Sequence, residues 1–295
     1  MLKVSILLAV HNGAEYLDQA IQSILEQTYT NWELIAVNNG SNDTTVDILN
    51  KWKEIDARIR VYSLEEKGKN KAYNYAFTKS VGDFVCFFAA DDILASDNIE
   101  LRIHPFSINK DLSFTTCLLK TFSENPKFDG LIFPKNQSKH NFSGGSIFFT
   151  QKMANSIFPL PESLPNEDVW SALHLKYFGI GKHVPKPLYH YRIHSKNSYG
   201  YQNSFQSKRN EFLRRMKAFE IFLKKNKNQL SNKDFLYLNS FSKSLYYVEK
   251  KKIIKIAFSQ LPVKDKILFI YYSSGFLFRI KTILFKFLSG KIELI

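Results

Sequence analysis

Two pairs of adjacent acidic residues, Asp91-Asp92 and Glu167-Asp168, are where this sequence is best equipped for chemistry. Asp91-Asp92 follows directly on the apolar stretch Phe87-Phe88-Ala89-Ala90. Neighbouring carboxylates at a strand end repel each other unless a positive group joins them. A divalent cation bridging a diphosphate is one such group, because Mg²⁺ and Mn²⁺ favour carboxylate and phosphate oxygen. The same residues also suit the entrance to a helix, with Asp92 or Ser96 capping Asp97–Ile103. Glu167-Asp168 opens a helix after the proline-bounded loop Pro159–Pro165. Acids are favoured in a first turn by the helix dipole, and as a pair they could also supply a general base and an acid that orients it. In Tyr189-His190-Tyr191-Arg192-Ile193-His194, strand alternation puts His190, Arg192 and His194 on one face. That face is either a solvated polar surface or a cationic cluster suited to a diphosphate. Lys67-Gly68-Lys69-Asn70-Lys71 is a basic loop that either approaches phosphate or is simply solvated.

The elements that must carry these groups alternate. Val4–Val10 is a continuous apolar run, as expected of a parallel strand buried on both faces. Tyr16, Leu17, Ala20, Ile21, Ile24 and Leu25 follow helical spacing. Strands are predicted over Glu33–Val37, Ile59–Leu64 and Asp83–Ala90, with a helix capped by Asn42 or Asp43 and a short helix over Asn70–Thr78 between them. Asn38-Asn39-Gly40-Ser41 is a turn. This β-α-β-α-β-α-β order implies a doubly wound sheet with right-handed crossovers, in which ligands sit at the carboxyl ends of the strands. Val10–Gly13, Asn38–Ser41 and Asp91-Asp92 all lie at such ends, so one ligand could touch all three. Residues 111–143 read as irregular, with a strand over Phe114–Lys120. Ser146–Thr150 and Leu188–Ile193 are further strands, and Asn166 caps a helix running to about Tyr177.

Charge divides the chain. The net charge is +14, and Phe205–Ile295 alone holds 20 Lys/Arg against 6 Asp/Glu, so residues 1–204 are neutral overall. The expected organisation is a catalytic domain over 1–204 and a basic, amphipathic helical extension over 205–295. Phe276, Leu277, Ile280, Ile283, Leu284, Phe287 and Leu288 interleave with Arg279, Lys281 and Lys286. That pattern suits a helix lying in a membrane interface. A nucleic-acid arm more often carries Gly, Ser and Arg, so no nucleic-acid partner is expected. Cys86 and Cys117 both sit in apolar runs and read as buried free thiols. The seven-residue apolar run at the N-terminus ends in His-Asn-Gly and reads as a strand rather than a signal peptide, and no run reaches the length of a membrane span. No G-x-G-x-x-G, phosphate-binding P-loop or Gly-x-Ser-x-Gly elbow is present.

The segment VSILLAVHNGAEYLDQAIQSILEQTYTNWELIAVNNGSNDTT resembles the opening of family-2 glycosyltransferases, whose fold is the α/β class called GT-A. KGKNKAYNYAF, GDFVCFFAADD, NEDVWSALHLKYFG and PLYHYRIHSKNS resemble its later segments, in the same order, as far as about Ser198. The resemblance implies a mixed sheet flanked by helices, a nucleotide-diphospho-sugar donor, a divalent cation (Mn²⁺ or Mg²⁺) and inversion at the anomeric carbon. It implies Asp168 as general base with Glu167 beside it, and Asp91, Asp92 and His194 as metal ligands. Donor contacts fall on Val10, Asn12, Glu15 and Asn39 at the first two strand ends, and on Lys69, Asn74, Asp91, Arg192 and His194 further on. Three residues depart from the family pattern: Asn38-Asn39 replaces Asp-Asp, Ala89 replaces the first Asp of D-x-D, and Tyr73 replaces the Arg of an Ala-Arg-Asn motif.

The function expected from all this is transfer of a hexosyl or N-acetylhexosaminyl group to a hydroxyl of a glycan or lipid-linked oligosaccharide, in surface polysaccharide synthesis. The expected location is cytoplasmic, peripheral on an anionic inner membrane face. Alternatives are a catalytically decayed nucleotide-sugar-binding module, a basic nucleic-acid-binding protein, or a nucleotidyltransferase, which should show a glycine- and lysine-rich phosphate loop.

Overall fold

The computed structural model describes residues 2–195 and 204–279. The chain forms two compact units, one ending at His194 and the other beginning at Ser195.

The first unit is built on one sheet. Its parallel half comprises β1 (Val4–Val10), β2 (Trp32–Asn39), β3 (Ile59–Leu64) and β4 (Phe84–Phe88), with α1 (Ala14–Leu25), α2 (Thr45–Ile55) and α3 (Lys69–Lys79) as crossovers. The remainder is β5 (Ile93–Leu94), α4 (Asn98–Ile108), β6 (Phe114–Phe122), β7 (Ile132–Phe133), β8 (Ile147–Thr150), α5 (Gln151–Ile157), α6 (Asp168–Phe178) and β9 (Gly181–Arg192). The strand order is β3-β2-β1-β4-β8-β6-β9-β5, with β7 on β6. β8 runs antiparallel to β4, and β6 antiparallel to β8, so the sheet is mixed as expected. β1, β2 and β4 are buried because helices cover the sheet, which is why β1 and β4 read as apolar runs, while β3 at the sheet edge is only partly buried. Leu8, Ala36 and Phe88 of these strands are closed to solvent and share one core with Leu17 and Ile21 of α1.

The register places the ends of β1 and β2 level, with Val10 opposite Asn38. Both following turns use a left-handed residue, Asn12 (φ 50°) and Gly40 (φ 68°). Asparagine tolerates that conformation better than most side chains, and glycine takes it freely. Asn12 N–H donates to Ser41 Oγ and Asn42 N–H to Asn12 Oδ1, both at 2.9 Å, so the two turns are locked together. Asp43, not Asn42, holds the start of α2, accepting from the Thr45 N–H and hydroxyl.

Some elements went unread in the sequence. β9 begins at Gly181, well before Leu188, because Pro185 and Pro187 mask its first half. Its pairing with β6 slips around Cys117 and Leu118, where the prolines cannot donate to a ladder. α5, β5 and β7 are too short to leave a periodic signal. Cys86 and Cys117 are buried free thiols, and burial pushes both thiols up, Cys86 to about 11.

The second unit is helical: α7 (Phe205–Asn226), α8 (Asn232–Glu249), α9 (Ile253–Ala257) and α10 (Val263–Ser273). Phe212, Phe241, Leu245, Val248, Ile256, Leu261 and Phe269 form its own core. The tail is therefore packed rather than uniformly solvated. Among the described residues no helix is long and apolar enough to cross a membrane. Of the expected interfacial segment Phe276–Leu288, everything from Ile280 onward lies outside the described residues, as do Lys196, Asn197 and Ser198 of the last matching segment.

Candidate active site

The two acidic pairs meet across α3. Lys69, the first residue of α3, sets its Nζ 3.0 Å from Glu167 Oε2. Burial works against the Lys69 charge, but Glu167, with Tyr73 and Asp168, overrides it and holds the ammonium pKa above its ordinary value. One turn on, Tyr73 donates its hydroxyl to the Phe88 carbonyl at the end of β4. Burial raises the Tyr73 pKa, and its phenol feels Lys69, Glu167, Asp91 and Asp92 together. Lys69 and Tyr73 thus lie in the field of both pairs. Tyr73, which departs from the family pattern, links α3 to the strand that delivers Asp91.

Asp91 and Asp92 are not equivalent. Asp92 is buried, and its two oxygens accept from the Tyr189 hydroxyl (2.6 Å) and the Arg192 N–H (2.9 Å). Burial and the Asp91 charge push its pKa well up, against those two hydrogen bonds. Asp92 therefore fastens β9 to the end of β4 with one hydrogen bond to each oxygen, while Asp91 is the more open of the two carboxylates. Asp91 remains 32% exposed, with Oδ2 3.2 Å from His194 Nε2. Arg192 Nε donates to the Asp91 carbonyl, and Nη2 to Gln19 Oε1. The guanidinium lies between the Tyr16 and Phe122 rings, 4.3 and 4.4 Å from their centroids. Tyr16 also packs on His194, and a hydrogen bond to Glu15, helped by burial, pushes its phenol up to about 12. Glu15 thus acts on this cluster through Tyr16. His190, half-buried and bonded to the Pro187 backbone, stays outside the cluster.

A carboxylate oxygen and an imidazole nitrogen, both partly exposed and adjacent, form a donor set that fits a divalent cation completed by phosphate oxygens. Among the described residues no group of three or more His, Cys, Asp or Glu is gathered, so such an ion would need its substrate.

The other expected donor contacts divide. Asn74 is spent on structure: its amide donates to the Leu160 carbonyl and accepts from the Leu160 N–H. Asn70 donates to the carbonyls of Pro161 and Leu164. These two asparagines moor the loop that leads to Glu167, a tie that the sequence expectation for Asn74 did not include. Asn39 uses its carbonyl oxygen to accept from Gly68 N–H at 2.7 Å, tying the end of β2 to the start of α3. Val10 is buried, and its side chain packs against the turn at Gly13. Asp168 opens α6, where its Oδ1 accepts from the Val169 N–H at 2.7 Å.

Two glycines also belong to the site. A Cβ on Gly144 would stand 2.2 Å from Glu167 Oε1, and one on Gly145 would stand 2.0 Å from the Tyr189 ring. The Gly144–Ser146 turn therefore carries no side chain where it passes the acid of one pair and the clamp of the other. Gly-Gly in the sequence marks a turn, but not what it passes.

The family model described as glycosyl transferase family 2 matches residues 5–157, more than half of the chain. The chain belongs to glycosyl transferase family 2. Among curated proteins it is 27% identical over 214 residues to a putative glycosyltransferase EpsH of Bacillus subtilis, covering 65% of this chain and 61% of that protein. It thus spans less than two thirds of that relative's length. Among solved structures, S. aureus TarS in complex with UDP-GlcNAc matches with a TM-score of 0.64 at 16% identity, over 99% of this chain and 93% of that one. A mannosyltransferase from Pyrobaculum calidifontis, in complex with GDP-Man and Mn²⁺, matches with a TM-score of 0.58 at 16% identity, over 75% and 64% of the two chains. These likenesses establish the fold as that of the glycosyltransferases.

Proposed function

We propose that the chain transfers a sugar from a nucleotide-diphospho-sugar to a hydroxyl of a glycan or lipid-linked acceptor, with inversion, in surface polysaccharide synthesis. The observation that carries this is the convergence of Asp91, His194, Arg192, Glu167 and Asp168 around α3, at the carboxyl ends of the parallel strands where such folds bind ligands. The family membership and the nucleotide sugars held by the two structural neighbours point the same way.

Asp168 takes the proton from the acceptor hydroxyl, whose oxygen attacks the anomeric carbon opposite the departing diphosphate. Glu167, held by Lys69, fixes the start of α6 and hence the direction of the Asp168 carboxylate. Arg192 and Lys69 supply positive charge toward the leaving group, and Arg192 is preoriented by its two rings. Asp91 and His194 would hold a divalent cation, which supplies charge neutralisation for the diphosphate. No nucleophilic Ser or Cys is required, since Cys86 and Cys117 are buried in the core. The basic C-terminal unit attaches the enzyme peripherally to an anionic membrane face, bringing Asp168 to a lipid-linked acceptor.

The test is a screen of UDP-, GDP-, CMP- and dTDP-sugars for thermal stabilisation and consumption, with Mn²⁺ and with EDTA. One nucleotide class should stabilise and be consumed, more so with Mn²⁺. Stabilisation without consumption, for every acceptor offered, would instead mark a decayed binding module.

A further inference from the structure

The helical unit shows an apolar surface that its own packing does not require. Ile256, Leu261 and Phe269 of the α9–α10 region face the core, and Ile254, Phe258, Val263 and Ile267 face away from it. Ile254 and Phe258 are 74% and 86% exposed. Short helices that bury one face do not gain stability from large apolar groups on the other, and scattered single exposed side chains are common whereas a run of four along one stretch is not. Cations flank the run: Lys250, Lys251 and Lys252 precede α9, Lys255 lies in it, and Lys264 begins α10, all exposed. The acids nearby are few, and Asp265 is engaged by the Tyr237 hydroxyl at 3.0 Å.

Beside this run lies a cavity of about 270 Å³ whose lining includes Lys243, Lys255, Tyr247 and Phe258. Lys255 Nζ also stands 5.8 Å over the Tyr247 ring. The cavity is lined by two lysines and neutral polar groups that suit an anion, and its lining also includes the exposed Phe258 and Leu236. Anionic headgroup inside and acyl chain at the rim is the polarity of a phospholipid, and the charge pattern repeats it across the whole face.

We propose that α9 and α10 form the membrane-docking face, with Ile254, Phe258, Val263 and Ile267 entering the interface and the Lys243–Lys255 cavity receiving an anionic phospholipid headgroup. This rests on the peripheral attachment stated above and moves its centre from Phe276–Leu288 to residues 250–268. Nucleic acid is a poorer fit, because three of the four exposed groups are aliphatic and offer no face for base stacking.

The test is flotation of the full chain with vesicles of phosphatidylcholine and phosphatidylglycerol in equal parts, against phosphatidylcholine alone, at low and high salt. Wild type should float with the anionic vesicles and be released by salt. Ile254→Ser with Phe258→Ser, both exposed and so expected to leave the melting temperature unchanged, should lose about tenfold or more of the partition. Lys243→Gln with Lys255→Gln should weaken binding and flatten its salt dependence. The control Ile55→Ser with Val81→Ser, exposed apolar residues of the first unit, should bind as wild type. Undiminished binding by both α9–α10 variants would overturn this face while leaving peripheral attachment standing through some other segment. Failure of wild type to float at low salt would overturn both. Lipid-independent self-association, abolished by the serine variant, would show that the face pairs two copies of the chain and overturn the proposal.

Discussion

The two units differ in how many buried polar residues tie distant segments together. The sheet-bearing unit ties carboxylates and amides across the chain: buried Glu33, Asp92, Glu167 and Asn70, and half-buried Asn74, each reach a segment distant in sequence. The helical unit buries a mostly apolar core and one charge, Arg209, which donates to the Val248 and Glu249 carbonyls; its lysines stay at the surface. Its buried hydroxyls, Ser244 and Ser273, merely back-bond to the preceding helical turn. Buried polar groups are costly unless fully paired, so they persist where position matters more than stability. Precision is concentrated where the acids converge, and apolar adhesion where position is less constrained.

Removing a buried charge from the first unit should cost most. Glu33 is buried and receives Ser5 Oγ at 2.6 Å, Val81 N–H at 2.8 Å, Arg60 at 2.7 Å and Lys3 at 3.1 Å. Burial alone would raise its pKa, but these donors outweigh it and hold the carboxyl below its ordinary value. Glu33→Ala should destabilise by about 3–5 kcal/mol in chemical denaturation. Because the folded pKa is depressed, the wild-type contribution is complete above the ordinary carboxylate value and lost as pH falls through the lowered one. The gap between wild type and variant should therefore close in acid. A gap that is small at neutral pH would erase the contrast between the units.

Gly144→Ala should come next. Its Cβ cannot coexist with Glu167 Oε1 in the present position, so the carboxylate must move and the Lys69 pair with it. A displacement of about 1 Å in a positioning group costs about 10²-fold in turnover. Donor binding, measured by calorimetry, should change far less. Equal losses in both would mean that Gly144 serves folding alone.

The smallest effect belongs to the helical unit. Ser231 caps α8, accepting from the Asp234 N–H at 3.1 Å and donating to its carboxylate at 2.6 Å. Ser231→Ala should lower stability by about 1 kcal/mol and leave turnover intact. A loss of turnover at equal stability would show that this unit, too, positions the site.

Much of the frame was legible beforehand. β1 and β3 were read to the residue, and β2 and β4 to within two; in β1 and β4 the signal was the apolar run that burial on both faces leaves. The acidic pairs were visible as pairs. Which member of Asp91-Asp92 faces outward was not, since it depends on Tyr189 arriving from β9. The Asn74–Leu160 tie was hidden for the same reason, since Leu160 lies in a proline-rich loop with no periodicity. The Lys69–Glu167 pair joins residues far apart in the chain and leaves no local trace. Local pattern fixes elements; the partners of buried polar groups are fixed only when the elements assemble.

The convergence of the acidic pairs is tested most directly at Asp168. The variant Asp168→Asn keeps the shape of the side chain and removes its basicity, so the donor site at Asp91, His194 and Arg192 should be untouched. Turnover and calorimetric donor binding are to be measured on the same preparation, with the donor identified by the nucleotide-sugar screen. The expected result is a loss of about 10²–10⁴-fold in turnover with donor affinity unchanged. Near-normal turnover would contradict the assignment of Asp168 as the base, and with it the account of how the two acidic pairs divide the work.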